Sequence, residues 1–307
     1  MLRLILRLFL MTLFIISCSS TNHKDRDKQV KFKIDVIYGH SHGMAMTFDV
    51  IQPVKPNGAG VILTNSGGWK SPNDTYKLLD SGQYRLASNE ELYALEMWPI
   101  LNPKLLVDNG YTVFEVRHGS GTKFDMPELV QHVRRAIRFI KHHAKDYGVD
   151  SNRIGLWGGS ASGHLSLLIG SSPEIGLKGA KADWEKADSS VTAIATFASP
   201  TDLSLFVKDN PEMKKYFRVL HLTEEQYTKF SPISYVSSED PPTLIMHGNT
   251  DDIIPIKHGE MIFDALQEAG VASDYIEFDN TSHIPTLEQS KRGVDEALKW
   301  FDKYLSD

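Results

Sequence analysis

A series of short, largely apolar runs recurs along the chain: AGVILT (59–64), YTVFEV (111–116), IGLWG (154–158), TAIATFA (192–198), PTLIMHG (242–248) and DYIEF (274–278). Each has the length of a strand, and continuous apolar character fits strands covered on both faces. Helical patterns lie between them. After Asp125, with Pro127 in the first turn, Leu129, Val130, Val133, Ala136, Ile137, Ile140 and Ala144 form one apolar stripe closed by Gly148. KHGEMIFDALQEAG (257–270) ends at a glycine, and the stretch 288–305 carries Val294, Leu298 and Phe301 at helical spacing. Strand and helix in alternation predict an α/β fold, a mostly parallel sheet of about eight strands with helices on both faces. VKFKIDVIY (30–38) and AMTFDVIQP (45–53) instead alternate apolar and polar residues, which predicts an antiparallel pair at the start. Two long excursions break the rhythm, at 71–98 and 201–230, and are expected to be lids or binding loops.

The first residues are of another kind. Arg3 and Arg7 precede an apolar run from Leu8 to Ile16, followed by Ser17-Cys18. That layout is a secretory leader over 1–17, its apolar run too short to span a bilayer comfortably. Ile15-Ile16-Ser17-Cys18 resembles a bacterial lipobox, which implies lipidation at Cys18, the only cysteine of the 307-residue chain. A plain cleaved leader and an uncleaved anchor are the alternatives. Residues 18–30 are polar and suit a tether, leaving 31–307 as the folded domain. The expected location is the bacterial cell envelope, facing the outer membrane or periplasm, since Ser19 provides no acidic inner-membrane retention signal. A net charge of −6 argues against a nucleic-acid partner.

The chemistry starts at Gly158-Gly159-Ser160-Ala161-Ser162, between a strand and a helix. A serine at such a turn is forced into a strained backbone and held out as a nucleophile. The residues two before and two after must be small because strand and helix nearly touch, and Gly158 and Ser162 satisfy that. The helix start behind it favours negative charge. Alone, a glycine-serine turn can simply be a turn. Asn65-Ser66-Gly67-Gly68-Trp69, ending the third strand, places backbone N–H groups of Gly67 or Gly68 where, with that of Ala161, they can stabilise an oxyanion. Asp251 ends one later strand and His283 the next; Asp252 is an adjacent substitute for Asp251. A histidine that takes the serine proton, oriented by a carboxylate, completes a proton-passing triad in the order Ser160, Asp251, His283.

Taken together these stretches resemble the α/β-hydrolases of the esterase and prolyl-oligopeptidase-like group, near bacterial carboxylesterases that include feruloyl- and acetyl-xylan-esterase-like proteins. NSGGW (65–69) stands for that group's His-Gly-Gly-Gly-Trp and GGSASGHL (158–165) for its G-x-S-A-G-G-H-L. The segment 231–255 and Ser282-His283 complete a likeness over most of 35–305. Asn65-Ser66 and Ser162 depart from the pattern. The resemblance implies Ser160 as nucleophile, Asp251 as acid and His283 as base. It implies no cofactor or metal, and an ester substrate, either an acylated glycan or a small aryl or alkyl ester. A prolyl-type peptidase, which usually carries a large extra domain for which this chain has no room, and a non-catalytic surface binder are the rival readings. His164 is expected to pack behind the serine and His247 to shape the loop of Asp251. The pairs His40/His42 and His142/His143 have no evident third ligand for a metal. Trp69, Tyr93 and Trp98 either line a pocket or pack a lid.

Overall fold

The computed structural model describes residues 29–64, 66–71, 76–94, 99–177 and 179–306. The leader 1–17, Cys18, most of the tether, Asn65, Trp98 and the Tyr93 side chain lie outside the described residues.

The chain opens with an antiparallel hairpin, β1 (Lys31–Ser41) and β2 (Met44–Gln52), as the alternating pattern predicts. Then follow β3 (Gly60–Thr64), a small hairpin β4 (Tyr76–Leu78) and β5 (Tyr84–Leu86), α1 (Asn89–Ala94), α2 (Lys104–Asp108) and β6 (Thr112–Val116). The next elements are α3 (Met126–His142), β7 (Ile154–Gly159), α4 (Ala161–Ser171) and β8 (Ala193–Phe197). The helices α5 (Leu203–Asp209), α6 (Met213–Val219) and α7 (Glu224–Tyr227) fill the second excursion. The chain closes with β9 (Thr243–Gly248), α8 (Lys257–Glu268), β10 (Ser273–Phe278) and α9 (Leu287–Tyr304). Eight strands form one sheet in the order β1-β2-β6-β3-β7-β8-β9-β10. β2 meets β6 antiparallel, and every pairing from β6 to β10 is parallel.

The strand pleat divides the core between two layers. Ile62, Phe114 and Leu156 point into one, with Leu129, Val133 and Ile137 of α3 and Leu165 of α4. Their neighbours Val61, Val113 and Trp157 point into the other, with Val107 of α2 and Val294 and Phe301 of α9. This is why the strands read as apolar throughout. α3 starts where the sequence places it: Asp125 accepts the Glu128 N–H (2.9 Å) and Glu128 accepts the Asp125 N–H (3.0 Å), a capping box with Pro127 in the first turn. Ala144 falls in a tighter 3₁₀ turn after the helix, which ends at Gly148 in the left-handed region (φ 68°).

The two excursions have different destinations. Tyr76 of the β4–β5 hairpin donates to Asp49 of β2 (2.7 Å) and packs on Phe32 of β1, so that hairpin lies against the β1–β2 hairpin. The stretch 201–230 does lie over the carboxyl ends of the strands, as shown below. No described helix is long and apolar enough to cross a membrane.

Candidate active site

β7 delivers its chain straight into α4 with a single residue at the corner. Ser160 has φ 53° and ψ −124°, a conformation that L-residues rarely adopt. The backbone on both sides holds it there: its N–H donates to Phe197 O of β8 (2.9 Å), and its carbonyl accepts from His164 (2.9 Å). A side chain at Gly158 would put Cβ 2.6 Å from the Ser162 carbonyl, so only glycine fits. Ser162 is tolerated for more than its size. Its hydroxyl accepts the Gly159 N–H (2.8 Å) and lies 2.8 Å from the Gly159 carbonyl, to which it donates.

The Ser160 hydroxyl reaches His283 Nε2 at 3.1 Å, and His283 Nδ1 reaches Asp251 Oδ2 at 2.8 Å. A carboxylate only accepts, so Nδ1 carries the proton and Nε2 is the acceptor facing the serine. Asp251 Oδ1 in turn accepts the N–H groups of Ile253 (2.9 Å) and Ile254 (2.8 Å). Burial alone would raise the Asp251 pKa; hydrogen bonding with His247 and His283 and from the Ile254 N–H outweighs it and holds the carboxyl well below its ordinary value. His247 Nε2 donates to Ile254 O (2.8 Å) and sits 3.5 Å from Asp251 Oδ2, bracing the loop from beneath. Asp252 is exposed, and Asp251 is the acid that meets the histidine.

On the opposite side, Gly67 and Lys70 exchange both backbone hydrogen bonds across a two-residue turn, at 3.0 and 3.1 Å. The Gly67 N–H is therefore committed to Lys70 O, a correction to its reading as a donor. Gly68 and Ala161 remain; as the first residue of α4, Ala161 has no carbonyl one turn back within the helix. The buried Ser66 hydroxyl has no hydrogen-bond partner among the described residues, a feature the sequence pattern does not flag. Trp69 is buried, not a pocket wall: its indole N–H donates to His164 Nδ1 (3.1 Å). His164 Nε2 donates to Phe230 O (2.7 Å), joining the elbow helix, the turn and the 201–230 excursion in one line. Burial lowers the His164 pKa to about 4, so the ring is neutral at pH 7. Tyr216 of α6 donates to Gly68 O, and Phe217 packs on Trp69, which places α6 directly over the turn.

The other histidines lie elsewhere. His42 pairs with Glu128 (2.5 Å), and His143 pairs with Asp146 (3.1 Å). Among the described residues no three His, Cys, Asp or Glu side chains converge as a metal site.

The strand order, with a serine at the corner after β7, defines an α/β-hydrolase fold. Residues 97–266 match the model of the BD-FAE family, and the chain belongs to that family. Among curated proteins it is 30% identical over 206 residues to Esterase LipQ of Mycobacterium tuberculosis, covering 64% of this chain and 48% of LipQ. The chain thus spans about half the length of the curated relatives LipQ and LipM of Mycobacterium tuberculosis. Among solved structures it superposes on a truncated carbohydrate esterase from gut microbiota with TM-score 0.67 at 22% identity, covering 90% of this chain and 98% of that one. It also superposes on an acetyl ester-xyloside bifunctional hydrolase from Caldicellulosiruptor lactoaceticus with TM-score 0.67 at 19% identity, covering 90% and 96%. At these identities the likeness is one of fold.

Proposed function

We propose that this protein is a serine carboxylic-ester hydrolase working through an acyl-enzyme on acylated glycans or small aryl and alkyl esters. The observation that carries this reading is the unbroken line from the Ser160 hydroxyl through His283 to Asp251, at 3.1 and 2.8 Å. Ser160 attacks the ester carbonyl while His283 Nε2 takes its proton. Asp251 holds the tautomer and stabilises the imidazolium. Gly68 and Ala161 donate to the carbonyl oxygen as it gains charge. His283 then protonates the leaving alkoxide, and water, deprotonated by the same imidazole, releases the acid. The BD-FAE membership, the similarity to LipQ and the carbohydrate-esterase neighbours support the ester and the glycan. Export and lipid anchoring through Cys18 belong to the same proposal and rest on the leader's sequence alone.

The test uses p-nitrophenyl acetate, longer acyl esters, acetylated xylan and a Gly-Pro anilide with wild type and Ser160→Ala. Ester turnover that vanishes in the variant is the expected result. Turnover of the anilide in preference to every ester overturns the reading in favour of a peptidase, and no turnover of any substrate favours a binder. Labelling of cells with a radioactive fatty acid, lost in Cys18→Ala, tests the anchor.

A further inference from the structure

The turn after β3 is held in the harder of two conformations open to it. Its two central residues, Gly68 and Trp69, both have positive φ, at 54° and 55°. Glycine accepts that conformation and a bulky aromatic residue rarely does. The same pair of cross-turn hydrogen bonds closes equally well when the central peptide is rotated by half a turn. The second residue then returns to negative φ and only the first, here glycine, stays positive. Two contacts oppose that rotation. Trp69 is tied to His164 by its indole. Tyr216 hydrogen-bonds the Gly68 carbonyl itself, an atom of the peptide that would rotate. A Cβ at Gly68 would lie 3.0 Å from the Tyr216 hydroxyl, so the glycine both permits the backbone and admits the phenol. Burial raises the Tyr216 pKa, which keeps the phenol protonated as a donor.

We propose that Tyr216, delivered by α6, is a positioning residue for the oxyanion side of the site. Its hydroxyl fixes the Gly68–Trp69 peptide with the carbonyl towards α6 and the N–H on the other side of the turn. Rotation of that peptide reverses its dipole beside the Gly68 donor. Loss of the hydroxyl therefore weakens the transition state more than it weakens substrate binding. Docking of the 201–230 segment is in this way part of assembling the catalytic constellation. The proposal rests on the ester-hydrolase reading above.

The experiment is Tyr216→Phe in the full chain, which keeps the ring against Trp69 and Lys70. kcat for p-nitrophenyl acetate falls by about 10-fold or more with KM within about twofold, and the affinity for a trifluoromethyl-ketone transition-state analogue falls by the same factor. Amide hydrogen exchange speeds up at 67–71 and stays unchanged in β7 and α4. Unchanged exchange at 67–71 overturns the proposal whatever the kinetics. Faster exchange with kcat and analogue affinity unaltered overturns it too, because the hydroxyl then holds the turn without serving the oxyanion. If wild type shows no Ser160-dependent ester turnover, the ester-hydrolase reading falls instead, and the exchange measurement alone decides whether Tyr216 holds the turn.

Discussion

Ser160, Asp251 and His283 follow the ends of three parallel strands of one sheet, whereas the oxyanion side joins a two-residue turn to an insertion reaching back from after β8. On the triad side, Asp251 is fixed by the N–H groups of Ile253 and Ile254 and the Ser160 backbone by Phe197 O and the His164 N–H, while His283 bonds both side chains. On the oxyanion side, the ties are long-range, from Trp69 to His164, from His164 to Phe230 and from Tyr216 to Gly68. The insertion bonds the oxyanion turn directly through Tyr216, and it reaches the elements that carry the triad through His164 of α4 and through His258 and Lys257 of α8.

The comparison breaks most sharply at the triad. Ser160→Ala and His283→Ala should each lower kcat/KM by roughly 10⁴–10⁶ with little change in melting temperature. Ser160→Gly should be equally inactive yet more stable than wild type by about 1 kcal/mol, because glycine is at ease at φ 53°. A Ser160→Gly protein that melts below wild type would show that the corner is not strained. Asp251→Asn should cost roughly 10⁴ in kcat, since an amide that donates to Nδ1 imposes the wrong tautomer. An effect below tenfold would mean that the backbone, not Asp251, orients His283.

What the sequence made legible follows the same division. The strands of the main sheet, both long helices and the meeting of Ser160, His283 and Asp251 could be read because each depends on a local pattern: an apolar run, a stripe, a residue at a strand end. Ser160, Asp251 and His283 all lie where strand ends put them. The oxyanion side was read less well because its partners are far apart in the chain. Nothing near Trp69 says that its indole turns inward to His164, and nothing near Tyr216 says that it bonds a carbonyl 148 residues away. The Gly67 N–H looks free in sequence and is consumed by a turn that only backbone geometry reveals. The length of the 71–98 excursion was visible in sequence, and the bond from its Tyr76 to Asp49 of β2 was not.

The pH dependence of stability reports on the buried histidines, His164 of the oxyanion side among them. Burial lowers the pKa of His118 to about 3 and those of His164 and His258 to about 4, from an ordinary 6.5. In the unfolded chain all three take up protons as pH falls through about 6.5, while the folded protein does not until near its own lowered values. Stability is therefore full above about pH 6.5 and declines towards pH 4, each histidine contributing up to about 1.4 kcal/mol per pH unit. Denaturant titrations between pH 4 and 7 should show this slope, reduced by about one proton in His164→Gln. An unchanged slope in that variant would mean that His164 is not held neutral by its burial.

Ser162→Gly should have the smallest effect, and it asks whether this chain's departure from the family pattern is structural or catalytic. The Ser162 hydroxyl is fully buried and bonds only backbone, the Gly159 N–H and carbonyl that lead into the corner. Removing it leaves the Gly159 N–H without that acceptor and adds backbone freedom in the first turn of α4. Together these cost about 1–2 kcal/mol. The corner itself is set by the Phe197 and His164 backbone bonds, which the substitution leaves in place. kcat should then change by less than about threefold while the melting temperature falls by several degrees. Ser162→Ala, which deletes the hydroxyl and keeps Cβ, should recover the part of the loss that comes from backbone freedom. If instead kcat falls tenfold in both variants, the hydroxyl aims the nucleophile, and the triad side of the site depends on a side-chain tie of the kind found on the oxyanion side.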